Sequence, residues 1–185
     1  MAAGDLTTLA AVKDWLQISG YTDDALLTRL IANCSAGIQN YLNRNFALTN
    51  YDEVRSGTGT RRMLFANYPA TSISAVTVDG ADVQKSPDGI HLPGWVNDSR
   101  GIIMIGGVWT AGVNNVTFSY TAGFAEPPAD ITQACIDWVS FIYRRRDRIG
   151  HASKSVQGET VSYITSAMPS EVGFALSPHK KVVPL

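Results

Sequence analysis

The stretch DLTTLAAVKDWLQISGYTDDALLTRLIANCSAGIQNYLNRNF, residues 5–46, decides how the chain begins to fold. Its apolar residues recur at intervals of three and four in two runs, which are Leu9, Val12 and Leu16, and then Leu27, Leu30, Ile31, Cys34, Ile38, Tyr41 and Leu42. This spacing is typical of amphipathic helices with one buried face. Gly20 and the acidic segment after it separate the runs, as residues that end one helix and begin the next. The stretch therefore predicts a helical hairpin, with helices over about 7–17 and 23–45.

The pattern changes between about residue 48 and residue 121. There the apolar residues recur at about every second position, which is the period of a strand with one buried face. The runs SISAVTV, GIIMI and VTFSY predict short strands, and the turn-forming segments SGTG, VDGAD and SPDG separate such runs. We predict a small antiparallel β section, over about 48–121, inserted between helices.

Helical spacing returns in ADITQACIDWVSFIYRRRDR and predicts a third helix over about 128–149. Pro127 and Pro128 suit its first turn, where a missing N–H costs little. Past Gly150 the spacing is lost, and residues 151–185 are predicted to form an extended arm and tail with a short helical turn in PSEVGFALSPH.

The predicted fold class is therefore α+β with a mainly helical core. The N-terminal helical hairpin and the long third helix make that core, the small antiparallel β section is inserted into it, and an extended C-terminal arm follows. The predicted domains are one over 1–150 and the arm and tail over 151–185.

The bulk composition is that of a globular protein, with 185 residues, 45% hydrophobic and 17% charged, and a formal net charge of −1. A near-neutral chain lacks the basic surface expected of a protein that binds duplex DNA. The N-terminus has no basic region before an apolar core, and no apolar run reaches the length of a membrane span. Cys34 and Cys135 lie in apolar helical patterns, as buried thiols in a reducing compartment do. We expect a protein that is made in a cytosol.

No arrangement of residues predicts an active site. His91, His151 and His179 stand far apart, without acidic or cysteine neighbours at metal-ligand spacing. The glycine-rich SGTGT lacks the lysine frame of a phosphate-binding loop and lies between strand-like runs. No serine lies in a nucleophile-elbow motif. We expect no cofactor, no metal and no enzymatic activity.

Four of the ten arginines lie within five positions, at Arg144, Arg145, Arg146 and Arg148. On a helix they spread around most of the circumference, so they do not all face one phosphate track. One or two of them stabilise the negative end of the helix. The others are open to three interpretations, which are contact with another protein, a solvated helix end and direct contact with DNA.

The ordered set of motifs resembles the gp6-like head–tail connector proteins of tailed bacteriophages. The resemblance begins with the T…VK.WL.I helix, the acidic DDALL segment and the helix ending I..YLNR.F. It continues through YPATSISAVTVDG, the segment VTFSYTAGFAEPPADITQACIDWVSFIYRRRDRIG and the arm SKSVQGETVSYI. Each motif alone is weak, but together they cover nearly the whole chain in the family's order.

This resemblance implies a structural adaptor of the virion neck, made in the bacterial host cytoplasm. Family members form rings of about a dozen subunits beneath the portal, extend the DNA channel and carry the stopper or tail-completion protein. The implied partners are further copies of the chain, the portal, the stopper or tail-completion protein, and double-stranded DNA that passes without sequence-specific binding; no membrane is implied. The implied contact residues lie at the end of the third helix, in the arm and in the tail: Arg144, Arg145, Arg146, Arg148, Lys154, Val161, Tyr163, Lys180 and Lys181.

Other functions remain open from the residues alone. Another neck component, a stopper or tail-completion protein, is expected to be chiefly β and so fits the helical hairpin less well. A small DNA-binding regulator would use residues 6–45, where only Lys13, Arg29 and Arg44 are basic. An enzyme is disfavoured because no set of polar residues converges.

Overall fold

The computed structural model describes residues 4–146, 153–156, 159–162 and 168–181. The chain forms two compact units: a helical unit from Met1–Arg44 and Pro127–Leu185, and a β unit from Asn45–Glu126. The β unit is thus an insertion in the sequence of the helical unit. The domain boundary predicted at residue 150 lies outside the described residues.

Four helices form the helical unit, namely α1 (Leu9–Leu16), α2 (Asp24–Leu42), α3 (Ala129–Arg145) and α4 (Ser170–Leu176). All three predicted long helices are present, with ends within a few residues of those predicted. The short turn predicted in PSEVGFALSPH is α4, followed by a 3-10 turn over Ser177–His179. The core consists of their inward apolar side chains, among them Val12, Leu27, Ile31, Cys34, Ile38, Leu42, Ile131, Cys135, Val139, Val172 and Leu176.

Local capping sets the ends of α1 and α2. The Thr8 hydroxyl accepts a hydrogen bond from the Ala11 N–H at 3.1 Å, which satisfies one of the free amides of the first turn. Both helices end on a residue in the left-handed conformation, Gln17 with φ 58° and Asn43 with φ 50°. Helix α1 therefore ends at Leu16, within one residue of the predicted end at about residue 17.

A glycine allows α2 and α3 to approach closely. The Cβ of any other residue at Gly37 would lie 2.6 Å from the Trp138 ring, below van der Waals contact. Both cysteines lie in this helical unit, buried and without a disulfide, as predicted. Burial raises the pKa of the Cys34 thiol to about 12 and that of Cys135 to about 11, so both are protonated at neutral pH.

Seven strands form the β unit, in two antiparallel sheets. The strands are β1 (Thr49–Arg55), β2 (Arg62–Leu64), β3 (Ala70–Val78), β4 (Ala81–Asp82), β5 (Gly94–Asn97), β6 (Gly101–Ile105) and β7 (Val116–Ala122). One sheet has the order β1-β7-β3-β4 and the other the order β2-β6-β5. Strand β1 pairs with β7 in antiparallel fashion, with Thr49 opposite Ala122 at one end and Arg55 opposite Val116 at the other. The first and last strands of the unit are therefore neighbours.

Aromatic side chains fill the core of the β unit. Along β7 every second residue is buried, as the period of two predicted. The Phe118 ring packs edge-to-face against Trp109 and against Phe65, each at 5.6 Å between ring centroids. The Phe65 ring also stacks on Tyr120 at 4.4 Å. The Tyr120 hydroxyl donates to the Glu53 carboxylate. Burial, together with this hydrogen bond, raises the pKa of Tyr120.

The predicted mainly helical core is wrong. The helices do not hold the core of the described residues alone, because the seven strands of the β unit close a buried core of their own. The buried residues of this core are spread over several short strands and the loops between them, so no single run in the sequence shows the size of this core. The two sheets assemble it from positions as distant as Met63 and Ala122.

Part of the predicted arm is a β-hairpin. Strands β8 (Ser153–Val156) and β9 (Glu159–Ser162) pair in antiparallel fashion, with Lys154 opposite Val161. Within the described residues, no helix is both long and apolar enough to cross a membrane.

Candidate functional site

The arginines at the end of α3 differ in the contacts that they make. The Arg146 guanidinium lies over the Tyr143 ring, 4.0 Å from its centroid, and donates to the Tyr143 carbonyl at 2.9 Å. The Arg145 guanidinium lies 4.7 Å from the centroid of the Phe141 ring. Arg144 is exposed and, within the described residues, has no ion-pair or hydrogen-bond partner. Arg148 lies outside the described residues.

Tyr143 ties this end of α3 to the connection between α1 and α2. Its hydroxyl donates to the Asp23 carboxylate, and this hydrogen bond is the main cause of the raised pKa of Tyr143. The neighbouring Asp24 accepts from Lys13 at 2.7 Å, and the Lys13 ammonium lies 4.8 Å from the centroid of the Tyr21 ring. The hydrogen bond from Tyr143 to Asp23 therefore holds the end of α3 in place, and Arg146 packs on the Tyr143 ring that makes it.

The C-terminal segment 168–181 packs on the helical unit. The Lys181 N–H donates to the carbonyl of Leu42 at 3.0 Å, which satisfies an acceptor at the end of α2. The Lys180 ammonium lies 4.7 Å from the Tyr41 ring centroid. Both lysines, predicted as partner contacts in a tail, thus contact their own chain. Lys154 and Val161 pair in the β8–β9 hairpin, and Tyr163 lies outside the described residues.

A cleft of about 440 Å³ lies between α3 and α4. Apolar groups line much of it, including Ala134, Phe141, Pro169, Val172 and Ala175, and its carboxylates are those of Asp130, Asp137 and Glu171. The Asp130 carboxylate is bonded to the His179 ring, while Asp137 accepts from the Gln133 side chain at 2.9 Å. In the described part of the chain, no lysine or arginine forms an ion pair with these three carboxylates.

A second depression, of about 340 Å³, adjoins the cleft along α3. It is lined by Trp15, Asp137, Ser140, Phe141, Arg144 and Arg145, and the Trp15 side chain is 53% exposed. Exposed tryptophan beside arginine is the composition of protein–protein interfaces. The outward face of α3 therefore changes from acidic at its first turn to basic at its last turn, with apolar groups between.

Sequence reasoning missed this face. The signal was present, because Asp130, Asp137, Phe141 and Arg144 recur at intervals of seven, four and three along α3. The apolar residues of this segment predict the helix itself, whereas the stripe that these four residues form is mixed in character and becomes recognisable as a surface only when α1 and α4 border it.

The β unit offers a second candidate surface in the loop between Ser86 and Pro93. The Asp88 carboxylate accepts from the amides of Ile90, His91 and Leu92 at 3.0 to 3.2 Å, which lowers its pKa to about 2. The Ser86 hydroxyl donates to the Leu92 carbonyl at 2.7 Å. The loop is thus fixed by polar contacts while Ile90, 69% exposed, projects into solvent.

The order of this loop is expected to depend on the ionisation of Asp88. Because the pKa of Asp88 in the fold is below the ordinary value of about 3.9, its stabilising contribution is complete above about pH 4 and is lost as the pH falls through about 2. In the His91→Gln protein, which lacks the neighbouring imidazole, we expect the amide NMR shifts of Ile90 and Leu92 to stay constant from pH 7 to pH 4.5 and to change below pH 4. In Asp88→Ala the same amides should be shifted already at pH 7; unchanged shifts in that variant would contradict the assignment.

The described residues present surfaces and not a reaction centre. Among them, no group of three or more His, Cys, Asp or Glu residues is placed to hold a metal ion. His91 is exposed and lies 3.5 Å from the Asp88 carboxylate, His179 contacts Asp130, and His151 lies outside the described residues. Together these features leave the two depressions along α3 and the Ser86–Pro93 loop as the candidate sites of contact with other macromolecules.

Three solved structures that are similar in fold to this chain are titled as parts of GTA particles. One is titled the neck of an empty GTA particle computed with C6 symmetry, with 20% identity and a TM-score of 0.60 over 100% of this chain and 95% of that chain. Another is titled the neck of a native GTA particle computed with C12 symmetry, with 17% identity and a TM-score of 0.57 over 100% and 98%. A third, titled the virion of a native gene transfer agent particle, has 18% identity and a TM-score of 0.58 over 100% and 98%. No curated protein matches the chain.

The family is shown by the sequence. The model of the head completion protein family matches residues 5–182, and the chain belongs to this family. The predictions of a phage-like head–tail connector and of a component of the virion neck are thereby confirmed. The family is one of structural proteins of the particle.

Proposed function

We propose that copies of this chain form a closed ring in the neck of a phage-like particle. The observation that carries the proposal is the match of the head completion family over residues 5–182. The neck structures of the same fold, with C6 and C12 symmetry in their titles, support a cyclic assembly. A cyclic ring uses two different surfaces on each subunit, one for each neighbour.

The ring would lie beneath the portal, extend its channel and carry the stopper or tail-completion protein. We assign contact with the portal to the segment that leaves α3, which includes the β8–β9 hairpin with Lys154 and Val161. A net charge of −1 suits a DNA conduit, because a strongly basic channel would bind phosphates and retard passage of the duplex.

The proposal is tested by removing the gene from a strain that produces the particles. We expect filled heads without tails, and tailed particles again when the wild-type gene is restored. Electron cryomicroscopy of the restored particles should show one ring of this fold between portal and tail. Normal tailed particles from the deletion strain would overturn the proposal.

A further inference from the structure

We propose that the arginine-bearing end of α3 in one copy contacts the acidic cleft between α3 and α4 in the next copy, in a head-to-tail manner. The inference rests on the proposed ring and identifies the two surfaces that would join its subunits. The two surfaces are named the basic end, formed by Trp15, Arg144 and Arg145, and the acidic cleft, formed by Asp130, Glu171 and the apolar residues between them. Asp137 and Phe141 border both surfaces.

The first argument is the charge at the two surfaces. Arg144 is exposed and without an ionic partner in the described residues, and the carboxylates of Asp137 and Glu171 there have no lysine or arginine within ion-pair distance. Arg145 and Arg146 lie over aromatic rings of their own helix. Arg144 is therefore the described member of the cluster whose planar, charged group remains free to bind a carboxylate.

The second argument is the apolar surface beside these charges. Trp15 is 53% exposed at the basic end, and Phe174 on α4 is 83% exposed. Large aromatic groups bordered by an arginine are the residues that carry most of the binding energy at protein interfaces. The cleft of about 440 Å³ is lined largely by apolar groups, so it can accept such a side chain.

The third argument is the position of the charges along α3. Arg144 lies fourteen positions after Asp130, or roughly 21 Å along the axis at the rise of an α-helix. Unlike charges at opposite ends of one element permit a heterologous contact, in which each copy offers its basic end to one neighbour and its cleft to the other, and the proposed cyclic ring requires a contact of this kind. Such contacts close into a ring when the rotation between copies permits.

Chemical cross-linking in assembled particles tests the contact. Particles are made with the Asp14→Cys/Ala175→Cys protein, which places one cysteine beside Trp15 and one in the lining of the cleft and keeps Arg144 and Glu171. They are treated with a short bismaleimide; Cys34 and Cys135 are buried and should not react. We expect a ladder of covalent oligomers well beyond the dimer, and only monomer from either single-cysteine control. Products that stop at the dimer would show a two-fold contact and overturn the head-to-tail inference.

A charge-reversal series gives an independent readout. We expect Arg144→Glu and Glu171→Arg each to lower incorporation of the protein into particles more than tenfold, and the double variant to restore it, because the reversed charges attract again. Both residues are exposed, so the melting temperatures of the purified variants should match that of the wild type.

The outcomes separate this inference from the proposed function. If the wild-type protein forms the neck ring while the cysteine pair gives no cross-link and charge reversal has no effect, the contact lies elsewhere and only the inference fails. If the wild-type protein is absent from the neck, the proposed function fails and the inference fails with it.

Discussion

Replacing Trp109 with alanine is expected to lower the free energy of unfolding of the β unit by about 4 kcal/mol. The side chain is fully buried, its ring packs edge-to-face against Phe118 at 5.6 Å, and its indole N–H donates to the Arg61 carbonyl at 3.0 Å. Removal would leave a cavity in the aromatic core and a carbonyl without its donor. These two losses add to the lost transfer energy of the ring itself.

Hydrogen exchange of the β7 amides measures this loss, because those amides lie on the central pairing of the β unit. Their protection should fall in Trp109→Ala and stay unchanged in Trp15→Ala, which removes the same side chain from a position 53% exposed in the helical unit. Equal protection in Trp109→Ala and the wild type would show that the aromatic core does not hold the β unit together.

Replacing Gly94 with alanine is expected to destabilise the β unit by about 3 kcal/mol or more. Gly94 has φ +142°, which other residues rarely adopt, and a Cβ there would lie 2.5 Å from the Ser86 nitrogen and 2.6 Å from the Gln84 carbonyl oxygen. These are backbone atoms held by hydrogen bonds to Trp95, so they cannot move aside without breaking that pairing.

A second glycine distinguishes the cost of the backbone conformation from the cost of a steric clash. Gly80 has φ +79° and nothing within 4 Å of the position of an added Cβ. Gly80→Ala therefore carries only the cost of the left-handed conformation, about 1 kcal/mol. In urea unfolding followed by far-UV circular dichroism, the midpoint of Gly94→Ala should lie well below that of Gly80→Ala. Similar midpoints for the two variants would show that the structure around Gly94 relaxes freely to admit a Cβ.

The helices could be predicted from the sequence because each depends on neighbours within a few residues. The stripe of apolar residues on α2 and the proline-led start of α3 are local signals, and both gave helix bounds within a few residues of the structure. The class of the protein was also predictable, since the family motifs follow one another along nearly the whole chain.

The β core and the roles of the arginines could not be predicted in the same way. Phe118 contacts Trp109 and Phe65 only after the strands pair, and no periodicity in the sequence indicates those contacts. The hydrogen bond from Tyr143 to Asp23 joins residues 120 positions apart, and it gives Arg146 a role within the fold. The sequence showed a basic cluster, but only the long-range contacts separate the arginines that anchor α3 from the exposed Arg144.

The pairing of the first and last strands of the β unit has an evolutionary consequence. Thr49 lies opposite Ala122, and the rings of Phe46 and Phe124 stack at 6.0 Å where the unit begins and ends. Entry and exit of this segment are therefore about one strand spacing apart, close to 4.8 Å. Such a segment can be enlarged, reduced or exchanged between relatives while the chain on either side keeps its path. We expect homologues to vary most in length between residues 47 and 124.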